Sequence, residues 1–132
     1  MTTSDPLELL DAADGLLARA DAATSGLWPR VSALLALRAL EAAVGRLWER
    51  AGVPLGGCPM PTQLICLRAY VADAGLAADA GHAWSALSRA SHHHPYELAS
   101  TAGELGSWFA VVRSVVGRAE GDSLNAPSRR GR

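Results

Sequence analysis

The chain has 132 residues, the length of one domain, which is enough to bury a single hydrophobic core. Hydrophobic residues make up 49% of it and charged residues 19%, a balance that excludes a wholly disordered chain. The net charge of −1 provides no global electrostatic attraction to nucleic acid. Alanine, leucine and valine dominate the apolar residues while aromatic residues are few, so the composition favours helices over strands.

The first predicted helix is acidic and occupies residues 1–26. Asp5 followed by Pro6 is typical of a helix start, apolar residues then recur at helical spacing, and Ser25-Gly26 ends the pattern. Five acidic residues and one arginine give this segment a charge of −4, which predicts a solvated outer face.

The second predicted helix runs from Val31 to Ala51, with Gly52 as its C-cap. Arg38 and Glu41 lie three residues apart near its apolar side. We interpret them as an ion pair on the helix surface, worth about 0.2–0.5 kcal/mol, in preference to members of a functional site.

A predicted loop follows at residues 53–61, which contain three prolines and two glycines. Thr62 is expected to cap a third helix that ends near Gly75. Since the two glycines of the loop, Gly56 and Gly57, lack the spacing of a phosphate-binding loop, they predict no nucleotide site.

Two further helices complete the pattern. The fourth is expected from Leu76 or Asp79 to about Ser91. Pro95 suits the first turn of the fifth, and apolar residues recur at helical spacing over residues 98–116.

The whole pattern predicts an all-α fold, an up-down bundle of four to five helices. Residues 27–119 form its expected core, and residues 120–132 are expected to be a mobile tail. The apolar stripe of the last helix is broad and carries Trp108 and Phe109, more than an edge helix usually buries. That breadth predicts a homodimer through this helix.

Cysteine usage and the N-terminus predict a cytoplasmic protein that has no membrane partner. Cys58 and Cys66 are too few for a disulfide framework and lack the spacing of a zinc site. The first residues are polar and acidic, unlike a signal peptide, and no apolar run reaches the length of a membrane span.

Three of the four histidines are consecutive, at His92, His93 and His94. Consecutive side chains on a helix diverge by about 100°, so these three cannot all face one metal ion there. A two-histidine helical site needs ligands at i and i+4, and no such pair occurs. We therefore predict neither a metal site nor a cofactor.

Arg89 precedes these histidines and offers a different chemistry. A helix end at Arg89 and a new helix after His94 would place a permanent cation near an imidazole. A guanidinium can hold a phosphate and stabilise its transition-state charge, and an imidazole can move a proton at neutral pH. The two groups suffice in principle for RNA cleavage without a metal, with the 2′-hydroxyl as nucleophile.

The residues from Arg89 to Tyr96 satisfy the pattern R-x4-H-x-Y. In this they resemble the HEPN ribonuclease toxins that are paired with nucleotidyltransferase (MNT) antitoxins, and the helical layout of residues 29–118 is similar too. The resemblance implies a HEPN-like bundle and a metal-independent endoribonuclease in a toxin–antitoxin or defence setting. It also implies an active site composed across a homodimer.

The resemblance assigns roles residue by residue. Arg89 would stabilise the scissile phosphate, His94 would be the general acid or base, and Tyr96 would be the residue that a nucleotidyltransferase-type antitoxin modifies. The supporting residues would be His92, His93 and Glu97.

Two alternatives stay open. Ala90 stands where HEPN domains usually have a polar residue, and Pro95 lies inside the motif. The second hypothesis is therefore a catalytically inactive HEPN-like helical module that binds another protein. A third is a bundle that binds a small molecule, for which no particular pocket is predicted.

Overall fold

The computed structural model describes residues 5–18, 28–92 and 100–121. These residues form α-helices joined by turns and loops, and none of them lies in a strand. The helices are α1 (Pro6–Ala18), α2 (Trp28–Ala51), α3 (Met60–Tyr70), α4 (Ala74–Ser91) and α5 (Ala102–Glu120). The all-α prediction is confirmed, and so is a helical bundle.

Helices α1, α2, α4 and α5 form the bundle, and successive members run antiparallel. Arg46 near the end of α2 pairs with Asp5 at the start of α1 (3.5 Å) and with Glu120 at the end of α5. Arg118 of α5 lies 3.9 Å from Asp73, which precedes α4. These ion pairs place the starts of α1 and α4 beside the ends of α2 and α5, so α2 and α5 are parallel and in contact across the bundle.

Helix α3 is short and lies outside the bundle against α4 and the end of α2. Its buried Gln63 fixes this position through hydrogen bonds to three groups, of which the Gly56 carbonyl is the most distant (3.5 Å). The Gln63 Oε1 accepts a hydrogen bond from the Trp48 indole N–H (2.9 Å), and its Nε2 donates to the Cys58 carbonyl (2.7 Å). Tyr70 packs edge-on against Trp48, with 5.4 Å between ring centroids. The loop before α3 is thereby tied to the core.

The core is one cluster to which all five helices contribute. Helix α2 runs through its centre and presents small residues to its neighbours, which lets the helices approach closely. The largest side chains that are fully buried there are Trp48, Leu10, Leu40, Leu67, Leu87 and Leu105. Burial of such side chains stabilises the fold by roughly 1.5–3 kcal/mol each.

The predicted end of α2 is confirmed. The helix closes at Ala51, and Gly52 follows with a φ of 72°, a left-handed conformation that glycine adopts without strain. Its start lies three residues earlier than predicted, at Trp28, because Pro29 is accommodated in the first turn, where no backbone N–H is needed.

The predicted boundaries of α3 were wrong. The helix begins at Met60 rather than at Thr62, since Pro61 suits its first turn, and the residue before it, Pro59, provides no side-chain cap. It ends at Tyr70, well before Gly75.

The predicted starts of α4 and α5 were also wrong. Asp73 caps α4 by accepting a hydrogen bond from the Leu76 N–H (3.0 Å), so that helix starts at Ala74. Thr101 and Glu104 form a reciprocal capping box, with bonds of 2.9 and 3.1 Å, so α5 starts at Ala102 and not near residue 98. The predicted helical turn at Pro95 lies outside the described residues.

Candidate functional site

Only part of the predicted HEPN-like site lies in the part of the chain that the structure describes. Arg89 is exposed on the last turn of α4, and His92 follows as the C-cap of that helix. The other predicted site residues, His93, His94, Tyr96 and Glu97, lie outside the described residues. The pairing of Arg89 with His94 therefore stays a prediction.

The His92 side chain is tied to the end of its own helix. Its backbone N–H donates to the carbonyls of Ser88 and Arg89, both at 3.2 Å. Its Nδ1 lies 2.9 Å from the Ser88 carbonyl, which can only accept, so Nδ1 is the donor of this hydrogen bond. This bond gives His92 a capping role beside Arg89.

A groove of about 470 Å³ lies between α3 and α4. Its α4 wall contains the small residues Ala77, Ala78 and Gly81, while α3 contributes Leu64 and Ile65. The Ile65 side chain is 73% exposed, the most exposed of the large apolar residues described. The groove therefore offers an apolar surface that no other described segment covers.

Polar and aromatic side chains surround that apolar surface. Arg68 comes from α3, and His82, Trp84 and Ser85 come from α4. Arg68, His82 and Ser85 are exposed, whereas Trp84 is half-buried and also packs on the core. Two of the lining side chains are basic, those of Arg68 and His82. No carboxylate is among the described residues that line the groove.

Glu41 of α2 holds Trp84 in place. The Trp84 indole N–H donates to Glu41 Oε2 (3.1 Å), and Arg38 donates to Glu41 Oε1 (3.3 Å). Both carboxylate oxygens are thus occupied, and the indole has a fixed orientation at the groove. The predicted Arg38–Glu41 ion pair is confirmed, but sequence reasoning missed its third member because Trp84 lies 43 residues further along the chain.

The exposed face of α4 that borders the groove continues beyond it toward Arg89. His82, Ser85 and Arg89 lie within about 60° of one another around the helix, and all three are exposed. At 1.5 Å per residue, Arg89 stands about 10 Å beyond His82 along the axis. One face of α4 thus carries the polar edge of the groove at one end and the predicted phosphate-binding arginine at the other.

A second cleft, of about 540 Å³, lies between the start of α4 and the end of α5. Asp73 and Asp79 line it together with Arg118. The Asp73 carboxylate caps α4 through one oxygen and faces Arg118 through the other. These groups join two helix ends, so we assign the cleft a structural role.

Neither cysteine belongs to a recognisable centre. Cys58 and Cys66 are free thiols and half-buried. Within residues 5–18, 28–92 and 100–121, no group of three or more His, Cys, Asp or Glu side chains is arranged to hold a metal ion. Among the same residues, every helix is too short or too polar to cross a membrane.

Comparison with known proteins adds no relative: no protein-family model, curated protein or solved structure matches the chain.

Proposed function

We propose that the chain is a metal-independent endoribonuclease of the HEPN type, in which Arg89 and His94 act on the scissile phosphate and the 2′-hydroxyl. The observation that carries the proposal is the position of Arg89, exposed on the last turn of α4 and five residues before His94. Arg89 forms no ion pair with a carboxylate among the described residues. An exposed guanidinium that is not paired with any described carboxylate is suited to bind a phosphate.

The proposed reaction is an internal transesterification. The 2′-oxygen forms a bond to the adjacent phosphorus, and the bond from phosphorus to the 5′-oxygen of the next nucleotide breaks. His94 takes the proton from the 2′-hydroxyl or gives one to the leaving 5′-oxygen, and water carries out the other of these two transfers, so that one proton is lost and one gained. Arg89 stabilises the negative charge on the phosphoryl oxygens. The products are a 2′,3′-cyclic phosphate and a free 5′-hydroxyl.

The proposal extends to the setting that the motif implies. The substrate is RNA, the active form is a homodimer, and the role is that of a toxin or defence nuclease. A nucleotidyltransferase-type antitoxin would be the partner that modifies Tyr96. These partners rest on the R-x4-H-x-Y pattern of residues 89–96.

The test compares wild type with Arg89→Ala and His94→Ala on mixed RNA in the presence of EDTA. We expect cleavage by wild type and loss of cleavage in both variants. Arg89 is exposed, so Arg89→Ala should leave thermal stability nearly unchanged. A substrate with 2′-deoxyribose at the cut site should resist, and equal cleavage of it would contradict the mechanism.

A second candidate function is a catalytically inactive helical module that binds another protein. Helix α3 favours it, because its Ile65 side chain is 73% exposed at the apolar groove beside α4. An exposed apolar surface of this kind is common at sites of protein–protein interaction. Failure of wild type to cleave any RNA would favour this function over the first.

A further inference from the structure

We propose that the groove between α3 and α4 binds an unpaired nucleotide of an RNA strand, with the strand continuing along α4 to Arg89. The inference rests on the proposed ribonuclease function and specifies where the strand is held beyond the scissile phosphate. A groove of about 470 Å³ falls within the size range of small-ligand sites, roughly 300–1,000 Å³.

The first argument is the chemistry of the surface. Trp84 contributes a half-buried indole to the groove, and Ala77, Ala78 and Gly81 leave room for a planar group beside it. Stacking of a base on an aromatic side chain is the common way in which proteins hold single-stranded nucleic acid. A nucleobase is therefore a suitable occupant of the apolar part.

The second argument is preorganisation. Glu41 accepts the indole N–H of Trp84 and is itself held by Arg38. The ring is thereby fixed before any ligand arrives, so little side-chain entropy remains to be lost on binding.

The third argument is charge. Arg68 and His82 are the described lining residues that can be charged, and both would be positive. An occupant that combines a planar apolar group with a negative charge complements this groove. A nucleotide has both, and its phosphodiester can pair with the Arg68 guanidinium.

The fourth argument is continuity with the proposed site of cleavage. His82, Ser85 and Arg89 follow one exposed face of α4, with about 10 Å between the first and the last along the helix axis. A strand that stacks one base in the groove can follow this face and present a neighbouring phosphate to Arg89.

The experiment measures the binding of short fluorescein-labelled 2′-O-methyl oligonucleotides of mixed sequence by fluorescence anisotropy in EDTA. These probes lack the nucleophile, so binding is observed without cleavage. Gly81→Leu fills the groove, because a Cβ at Gly81 meets no atom within 4 Å, and Arg68→Gln removes the cation. We expect each change to weaken binding about tenfold.

Two matched controls use the same chemical changes elsewhere. Gly117 on α5 is exposed and equally open at its Cβ, and Arg113 pairs with α1 on another side of the bundle. We expect Gly117→Leu and Arg113→Gln to bind the probe like wild type. Circular dichroism of all four variants confirms that each is folded.

The outcomes separate the two proposals. Binding that depends on Gly81 and Arg68, together with no cleavage of ordinary RNA, supports the groove and overturns the ribonuclease function. Cleavage that depends on Arg89, with probe binding unchanged in Gly81→Leu and Arg68→Gln, overturns the groove alone. Absence of any probe binding by wild type also overturns it.

Discussion

The indole N–H of Trp84 donates to Glu41 Oε2 at 3.1 Å, which links α4 to α2 beside the groove. Glu41 is the only acceptor of this bond among the described residues, and its second oxygen faces Arg38. The hydrogen bond between Trp84 and Glu41 therefore has two consequences. It holds two bundle helices together, and it orients the indole on which we propose that a nucleotide base stacks.

Glu41→Ala should lower the free energy of unfolding by about 1–2 kcal/mol, because a half-buried indole N–H loses its acceptor. Arg38→Ala should cost less than about 0.5 kcal/mol, since its side chain is 62% exposed and the ion pair is screened by water. Urea denaturation of the two variants measures the difference. Equal losses would mean that the ion pair, and not the Trp84 bond, is the stabilising contact.

Gln63→Leu should lower the free energy of unfolding by about 2–4 kcal/mol. The leucine leaves both the buried Trp48 N–H and the Cys58 carbonyl without their partner, and each unsatisfied group costs about 1–3 kcal/mol. Gln→Leu at an exposed position changes stability little, so the loss reports the buried network. A loss below about 0.5 kcal/mol would contradict the bonds described for Gln63.

Gln63→Glu provides a sharper test of the same network. The carboxylate still accepts from Trp48 but places a second acceptor against the Cys58 carbonyl, where only a protonated carboxyl can donate. Burial and this carbonyl should raise the pKa of the introduced carboxyl in the folded state. The stability of this variant relative to wild type should then increase as pH falls, and a constant difference across pH would refute the assignment.

Ser32→Ala should raise the free energy of unfolding by about 1 kcal/mol. The Ser32 side chain is fully buried in α2, and its hydroxyl has no hydrogen-bond partner among the described residues. Alanine removes this unsatisfied group and is also the better helix former. Ser107→Ala is the control, since the exposed Ser107 hydroxyl already bonds to the Glu104 carbonyl and its removal should be nearly neutral.

Arg113→Gln should lower stability by less than about 1 kcal/mol, and the loss should shrink in high salt. The hydrogen bond to Asp14 raises the pKa of the Arg113 guanidinium, an effect that burial partly opposes and Asp11 reinforces. A raised pKa in the folded state stabilises the fold at every pH below the ordinary arginine pKa. This stabilisation is lost only as the pH rises from there through the folded-state pKa. The arginine therefore adds no pH dependence to stability near neutrality. Thermal melts between about pH 6 and 9 can check this expectation.

Helical period, prolines and glycines were sufficient to predict an all-α bundle and the end of α2 at Gly52. Those signals depend on neighbours within a turn or two, which a sequence displays directly. The starts of α4 and α5 were predicted wrongly, although Asp73 and the Thr101–Glu104 pair are cap signals in the sequence. The apolar period placed the start of α4 too late, at Leu76 or Asp79, because the first turn after Asp73 has no large apolar residue before Leu76. It placed the start of α5 too early, because the period extends past Thr101, and the cap overrides it by satisfying the free N–H groups of the first turn.

The candidate site, like the fold, was predictable from the sequence only in part. The R-x4-H-x-Y spacing is a property of the sequence, and of its key residues the structure describes Arg89, at the end of α4 as expected. The groove could not be predicted, because Arg68 and Trp84 belong to different helices and Glu41 reaches Trp84 from a third. Local pattern determines which residues are helical, but only packing between helices decides which side chains meet, since those contacts join residues far apart in the chain.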